Sequence, residues 1–551
     1  MLPPRIVVAT LNARYSHASF GLRYLLANLG PYRAMTVLRE FTIGQPALQI
    51  VESLLAEAPT VIGFGVYIWN VAETTAVMDL LRLLRPDIRL VIGGPEVSYE
   101  YAETAIFGLC DHLIPGEADI AFRELVAELI AGRVPPKVFT AAAPELAALQ
   151  LPYAEYTDTD LRERLIYVEA SRGCPFHCEF CLSSLDERVR PFPLPAFLAA
   201  LERLLLRGAR GFKFVDRTFN LNLRTSVTIL EFCLSHYRPG LELHFEMIPD
   251  RLPAELRALL ARFPAGAVQL EIGIQSFTKA VLQNISRPQN IAKIADNLSY
   301  LRQHTGVHVH ADLIFGLPGE TLESFAASFD QLLSLGPDEI QLGFLKRLRG
   351  TPIIRHTEPA ALRFSPRPPY EILENATVRF AELQRMRRFA RYFDLYFNSG
   401  EFVLAMEAVL ATHASPFAAF ARFADFLYTT TGQTHELALS RRYQLIFSYL
   451  TTQCGAEPGA AAELLLCDYD RHKVRRERLE FLRPYVASLR PSAVAAVATS
   501  RAAHTVKRRG QAPAGTLAQT AAQKDAPETA PALLPAAAPR TVRRLPVLPA
   551  T

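Results

Sequence analysis

The chain has 551 residues, half of them hydrophobic and 21% charged, so it can bury substantial cores and is long enough for two to four domains. Its formal charge of +4 originates at the C-terminal end, because residues 491–551 carry eight Lys/Arg against two Asp/Glu and the remainder sums to −2, without a global nucleic-acid signature. No apolar run approaches the ~20 residues that span a bilayer, the N-terminal apolar stretch is too short for a signal peptide, and seven scattered cysteines do not suit a disulfide framework; a cytoplasmic protein with no membrane or nucleic-acid partner is expected.

In chain order, RIVVAT, MTVLREF, TVIGFGV, IRLVIGG and DHLIPGE read as short apolar strands, each followed by a helical pattern. This alternation predicts a doubly wound, Rossmann-like α/β domain with a parallel sheet over residues 1–133. Its ligand crevice is expected at the carboxyl ends of the strands, where NARYSH, GVYIWN and GGPEVSYE fall. Residues 134–163 are rich in Pro, Ala and polar clusters and read as a linker. A second series follows over 164–352, with strands LIYVEAS, GFKFVD, LELHFEM, AVQLEIGIQS, HVHADLIFG and DEIQLGFLK. Six strand–helix units predict an open, partial (β/α)6 barrel whose chemistry sits at the carboxyl ends of its strands. Residues 353–488 carry longer amphipathic patterns and are expected to form a helical C-terminal domain. The Ala/Pro/Arg-rich stretch 489–551 reads as disordered.

The sharpest chemical signal is SRGCPFHCEFC, with Cys174, Cys178 and Cys181 directly after the first strand of the second series. Three thiolates at this spacing on one loop can each ligate an iron of a cubane cluster, leaving the fourth iron open for a substrate. The competing reading is a zinc site completed by His177, or three packed core thiols; the cysteine spacing does not form the usual pair of short zinc knuckles. The motif resembles the signature of the radical S-adenosylmethionine (SAM) superfamily, Cys-x-x-x-Cys-x-aromatic-Cys, with Phe180 at the aromatic position. The resemblance implies a 4Fe-4S cluster held by the three cysteines, SAM as co-substrate and an electron donor such as flavodoxin or ferredoxin. It places Phe180 near the adenine, Asp216 of FVDRTFN near the methionyl amino group, and Glu271, Gln275 and Asp312 at the SAM site. The segment HADLIFGLPGE is similar to the family's Asp-x-x-x-Gly-x-Pro-Gly stretch.

An α/β domain directly before such a barrel resembles the cobalamin-binding domain of the cobalamin-dependent branch of that superfamily. The resemblance implies cobalamin contacts from the first loop, at Asn12, Tyr15, Ser16 and His17, and from the segment Gly93, Gly94, Pro95 and Glu96, where paired glycines let the backbone approach a ligand. The usual Asp-x-His-x-x-Gly motif is incomplete: NARYSHASFG lacks the Asp, and Gly21 lies one residue too far. His17 is accordingly expected to be a loop or contact residue rather than a cobalt ligand. The functional expectation is methyl transfer to an unactivated carbon of a small or unknown substrate. Radical oxidation, rearrangement or sulfur insertion is the alternative, and a non-catalytic cobalamin or metal sensor is a third reading. Arg385, Arg387, Arg388 and Arg391 read as a solvated helix face, Trp69 as either a packed aromatic or a crevice wall, and Cys110, Cys233, Cys454 and Cys467 as packed thiols.

Overall fold

The computed structural model describes residues 5–471 and 479–486, so the stretch 489–551 lies outside the described residues. The chain divides into two compact units, one of residues up to 321 with 343–379 and the other of 322–342 with the chain from 380 onwards.

In the first unit, β1 (Ile6–Asn12), β2 (Thr36–Thr42), β3 (Val61–Gly65), β4 (Arg89–Gly93) and β5 (His112–Ile114) form a parallel sheet in the order β2-β1-β3-β4-β5. Every residue of β1 and β3 is buried, as expected for strands covered on both faces. The period of two along β1 sends Val7, Ala9 and Leu11 into one core and Ile6 and Val8 into the other. The first core is closed by α2 (Ala47–Leu55), α3 (Val71–Leu84) and α4 (Ala105–Leu109), the second by α1 (Phe20–Asn28) and α5 (Ala121–Ile130). Because the chain winds outward in opposite directions from β1 and β3, a crevice opens at their carboxyl ends.

Residues 134–163 are not a passive linker. Leu146 and Leu149 are buried in one cluster with Tyr24 and Phe192, and α6 (Asp158–Glu163) starts with a reciprocal capping box between Thr157 and Asp160. Apolar residues between the prolines supply the anchors that a composition reading overlooks.

The second sheet holds β6 (Ile166–Val168), β7 (Gly211–Phe214), β8 (Glu242–Met247), β9 (Val268–Gln275), β10 (His308–Phe315) and β11 (Glu339–Phe344). They run in the single order β11-β10-β9-β8-β7-β6, with parallel pairing from β6 through β10. With β6 and β11 both at an edge, the barrel is open, as six units require. Helices α7 (Leu194–Leu206), α8 (Leu223–Ser235), α9 (Ala254–Leu260), α10 (Lys279–Asn284) and α11 (Ile291–His304) connect the strands.

The helical unit comprises α12 (Leu322–Leu335), α13 (Phe380–Phe393), α14 (Val403–Leu410), α15 (Pro416–Thr431), α16 (Leu439–Thr452) and α17 (Pro458–Asp470). It begins at 380 rather than 353 and takes in α12, because Phe325 and Phe329 pack edge-on against Phe417, and Phe329 also against Phe389. The buried Asp468 carboxylate accepts from Leu404 N (3.0 Å) and Ala405 N (2.9 Å), satisfying the first turn of α14. On the arginine face, Arg385 pairs with Asp425, Arg388 covers the Tyr428 ring and Arg391 reaches Asp394. Cys110 and Cys233 are buried, whereas Cys454 is half-buried and Cys467 exposed, so the last two are not core thiols.

Gly94 fixes how β4 leaves the sheet. It has φ +116° and ψ 171°, and a Cβ there would stand 2.5 Å from Val66 O. Its glycine identity therefore serves a backbone crossing, not only an approach to a ligand. Gly94→Ala is expected to cost about 3 kcal/mol or to prevent folding, measured by chemical denaturation; a variant within error of the parent would contradict this role.

Candidate active site

The loop after β6 carries the cysteine motif, and Cys174 N donates to Asp186 O (2.9 Å) to close its base. Cys174, Cys178, Cys181 and Phe180 line one cavity of about 140 Å³. Cys174 and Cys178 are buried and Cys181 half-buried. Among the described residues no group of three or more His, Cys, Asp or Glu side chains converges on a single ion. His177 is 63% exposed beside Glu187 and does not line the cavity. This geometry argues against a closed zinc site and suits thiolates that each serve a different iron. Burial pushes the Cys174 thiol up. Arg287 Nη1 donates to Cys178 Sγ (3.0 Å) and Nη2 to Gly273 O (2.6 Å), placing a cation against one sulfur.

Glu271 and Asp312, within β9 and β10, and Gln275, the last residue of β9, line the same cavity. Gln275 is held at φ +69°, which a non-glycine residue tolerates only under constraint. Its Oε1 and that of Gln289, also on the wall, are buried without a hydrogen-bond partner, so the cavity offers acceptors to a ligand bearing N–H or O–H groups. Burial pushes the Glu271 carboxyl up, but Lys213 Nζ (3.1 Å) and His244 Nε2 (2.9 Å) more than offset this and hold it below the usual carboxylate range. His310 Nε2 lies 3.1 Å from Asp312 Oδ1.

Asp216 does not join them. Its carboxylate accepts from Ala170 N (3.0 Å) and Ser171 Oγ (2.6 Å), so it braces the chain leaving β6, and burial raises it to about 6 despite those bonds. The cavity wall is instead supplied by its neighbour Arg217, whose Nη1 lies 3.2 Å from both oxygens of Glu246.

A second cavity of about 320 Å³ shares Arg217, Glu246 and Glu271 with the first. Its walls come from both sheets: Tyr67, Trp69, Pro95 and Glu96 from the N-terminal one, Tyr167 and Lys213 from the barrel. Trp69 stacks on Tyr67 with ring centroids 4.5 Å apart, so it is both a packed aromatic and a crevice wall. A third cavity of about 260 Å³ runs beside β3 and β4 and includes Gly93, Gly94 and Tyr67. Gly116 (φ +72°) lines it with open space where its Cβ would be, so any side chain there would enter the cavity. That stretch of bare backbone leaves room for the close approach of a ligand edge.

The first-loop residues behave differently. Asn12 Nδ2 donates to His17 O (2.9 Å) and Glu40 Oε1 (3.0 Å), Tyr15 is exposed and donates to Glu163, and Ser16 O accepts from Leu165 N. His17 is buried with Nδ1 2.6 Å from Tyr167 Oη, and none of the four lines these cavities. Pattern reading also missed Arg217, Glu246, Lys213 and Arg287. Glu246 and Lys213 were signalled as lone charges inside apolar strands, LHFEM and GFKF; the two arginines lie in loops and carry no local signal.

Residues 168–332 match the radical SAM superfamily, residues 6–126 the B12 binding domain family, and residues 361–514 a family described as a protein of unknown function (DUF4080). The chain is 24% identical over 318 residues to an uncharacterized methyltransferase of Pyrococcus horikoshii, covering 53% of this chain and 68% of that protein. It is 25% identical to TokK of Streptomyces tokunonensis, described as a cobalamin-dependent radical SAM methyltransferase, covering 51% of this chain but only 46% of TokK. Among solved structures, TsrM from Kitasatospora setae, a radical SAM methyltransferase solved with cobalamin and a [4Fe-4S] cluster, aligns with a TM-score of 0.54 at 18% identity, over 66% of this chain and 78% of TsrM. Fold and site thus define a radical SAM protein with a B12-binding domain. The chain combines a radical SAM domain, which implies a 4Fe-4S cluster and SAM, with a B12-binding domain, which implies cobalamin. Among the described residues no helix is long and apolar enough to cross a membrane.

Removing the cation beside Cys178 by Arg287→Ala is expected to lower the cluster's reduction potential by about 60 mV, one tenfold step for a one-electron couple, read by redox titration with electron paramagnetic resonance. Burial lowers His17 to about 4, below its ordinary 6.5, so the unfolded chain takes the proton first. Its contribution to stability is complete above pH 6.5 and lost as pH falls towards 4. Between pH 7 and 5 the native chain is expected to lose about 2 kcal/mol that His17→Gln does not lose.

Proposed function

We propose that this chain transfers a methyl group to an unactivated carbon of a small-molecule substrate, drawing electrons from a flavodoxin- or ferredoxin-type donor. When bound, the reduced cluster and SAM would supply a 5′-deoxyadenosyl radical that removes hydrogen from the substrate, and cobalamin would supply the methyl group. The observation that carries this reading is a pair of adjoining cavities that share Arg217, Glu246 and Glu271, with the three cysteines lining one and the loops after β3 and β4 lining the other.

Cys174, Cys178 and Cys181 would hold the cluster, with Arg287 steadying one sulfur. Phe180, Glu271, Gln275 and Asp312 are assigned to SAM on their place in the cysteine cavity, with Gln275 and Gln289 offering free acceptors to its donors. Asp216 is assigned to bracing rather than to SAM. Gly93, Gly94 and Gly116 would accept the cobalamin tail in the third cavity, while Pro95 and Glu96 face the shared one. With His17 engaged by Tyr167, cobalt would have no imidazole from the first loop. Lys213, Arg217, Glu246 and Glu271 give the substrate cavity paired charges, which favours a polar small molecule over an apolar one.

Cys178→Ala is expected to abolish 5′-deoxyadenosine formation while the protein still folds and binds hydroxocobalamin; retained SAM cleavage would remove the motif from the mechanism. With methyl-deuterated SAM the product is expected to carry the label. A product without added carbon would instead support radical oxidation or rearrangement, and one with added sulfur a sulfur insertion.

A further inference from the structure

After β11 the chain does not leave the first unit at once: residues 345–377 run back across it. Leu345 N donates to Phe315 O (3.0 Å), Ile372 N to Leu345 O (2.8 Å), and Asn375 Nδ2 to Gly316 O (3.2 Å), which fixes this segment to the end of β10.

Within it, two groups of residues only a few positions apart reach different loops. Arg347 Nη2 donates to Glu100 Oε2 (2.7 Å) and Gly350 N to Glu100 Oε1 (3.0 Å). Arg349 Nε (3.0 Å) and Tyr370 Oη (2.6 Å) both donate to Glu96 Oε1, and Arg349 Nη2 donates to Tyr370 Oη (3.1 Å). These contacts hold the loop after β4. Ile353 N donates to Glu179 O (2.9 Å), while Arg355 and His356 Nε2 (2.8 Å) engage the Glu179 carboxylate, which also accepts from Ser286 Oγ (2.6 Å). Glu179 stands between Cys178 and Phe180, so these contacts hold the cysteine loop. Both anchoring carboxylates are buried, Glu96 to 5% exposure and Glu179 to 2%. A buried carboxylate is tolerated only while its partners stay in place, so neither anchor can let go cheaply. Leu348, between them in space, lines the shared cavity with Pro95 and Glu96 on one side and Leu182 and Ser183 on the other.

We propose that residues 347–356 are a tie that sets the position of the loop after β4 relative to the cysteine loop, with Arg349 and Glu179 as positioning residues. The tie is short, and its second half is the helical turn Pro352–His356 that itself carries the Glu179 contacts, so a displacement at one anchor is passed to the other rather than absorbed. Order at either loop is therefore coupled to order at the other, and the coupling is reciprocal. This does not depend on which ligand the third cavity takes.

The test is amide hydrogen exchange on the full chain, without cofactors. Arg349→Ala is expected to speed exchange about tenfold at residues 95–101 and also at 174–183, which Arg349 does not touch. From the opposite end, Glu179→Gln is expected to speed exchange at 95–101. A purely local role for each residue predicts change only in its own loop, and that result, in either variant, overturns the tie. Should Arg349→Ala fail to fold, Glu179→Gln decides alone.

Discussion

Arg172 is the interaction on which the first unit depends. It follows β6, is largely buried, and meets carboxylates from both sheets: Glu169 (2.9 Å) in the barrel, and Asp119 (2.9 Å) and Glu117 (3.0 Å) in the loop after β5. Its guanidinium also lies over the rings of Tyr24 and Phe192. A buried arginine is stable only when its charge and donors are answered. Answering them here requires the carboxyl end of the N-terminal sheet to sit against the carboxyl end of β6. Arg190, which also pairs with Glu117, and Arg23, which bridges Glu40 and Asp160, repeat the device along the same seam.

Function follows from that arrangement. Parallel strands gather their variable loops at one end, and two parallel sheets brought together by those ends enclose adjoining cavities with charged residues in a shared wall. The cysteine loop, Pro95 and Glu96 of the loop after β4, and the charged residues of β7, β8 and β9 thereby line adjoining cavities, although they come from distant parts of the sequence. Burial of the charged groups carries a second consequence. Glu169 is raised to about 7 by burial, with Arg172 opposing, whereas Glu271 is held low by Lys213 and His244. Carboxyls of one sheet are thus pushed in opposite directions by their partners.

Much of this was legible in the sequence. The inner strands of the two sheets stand out as apolar-rich runs, because strands covered on both faces carry few exposed polar positions, and the cysteine spacing states its chemistry locally. The linker was misread because composition cannot show that Leu146 and Leu149 find a pocket, and the helical boundary because the partners of α12, Phe389 and Phe417, lie far along the chain. At the site, the family resemblance places Asp216 beside SAM; its partners, the Ala170 amide and the Ser171 hydroxyl, become visible only in three dimensions. Arg287 and Arg217 were silent for the same reason, since a loop arginine carries no sign of what it faces.

We place the cluster in the cysteine cavity and cobalamin along the loops after β3 and β4, close enough for their unpaired spins to interact. Electron paramagnetic resonance on the anaerobically reconstituted protein, with the cluster reduced and cobalamin in the Co(II) state, tests this placement most directly. Both signals are expected in one molecule, each broadened or split by the other. Two unperturbed spectra, or a cluster signal in protein that never takes up cobalt, would contradict it.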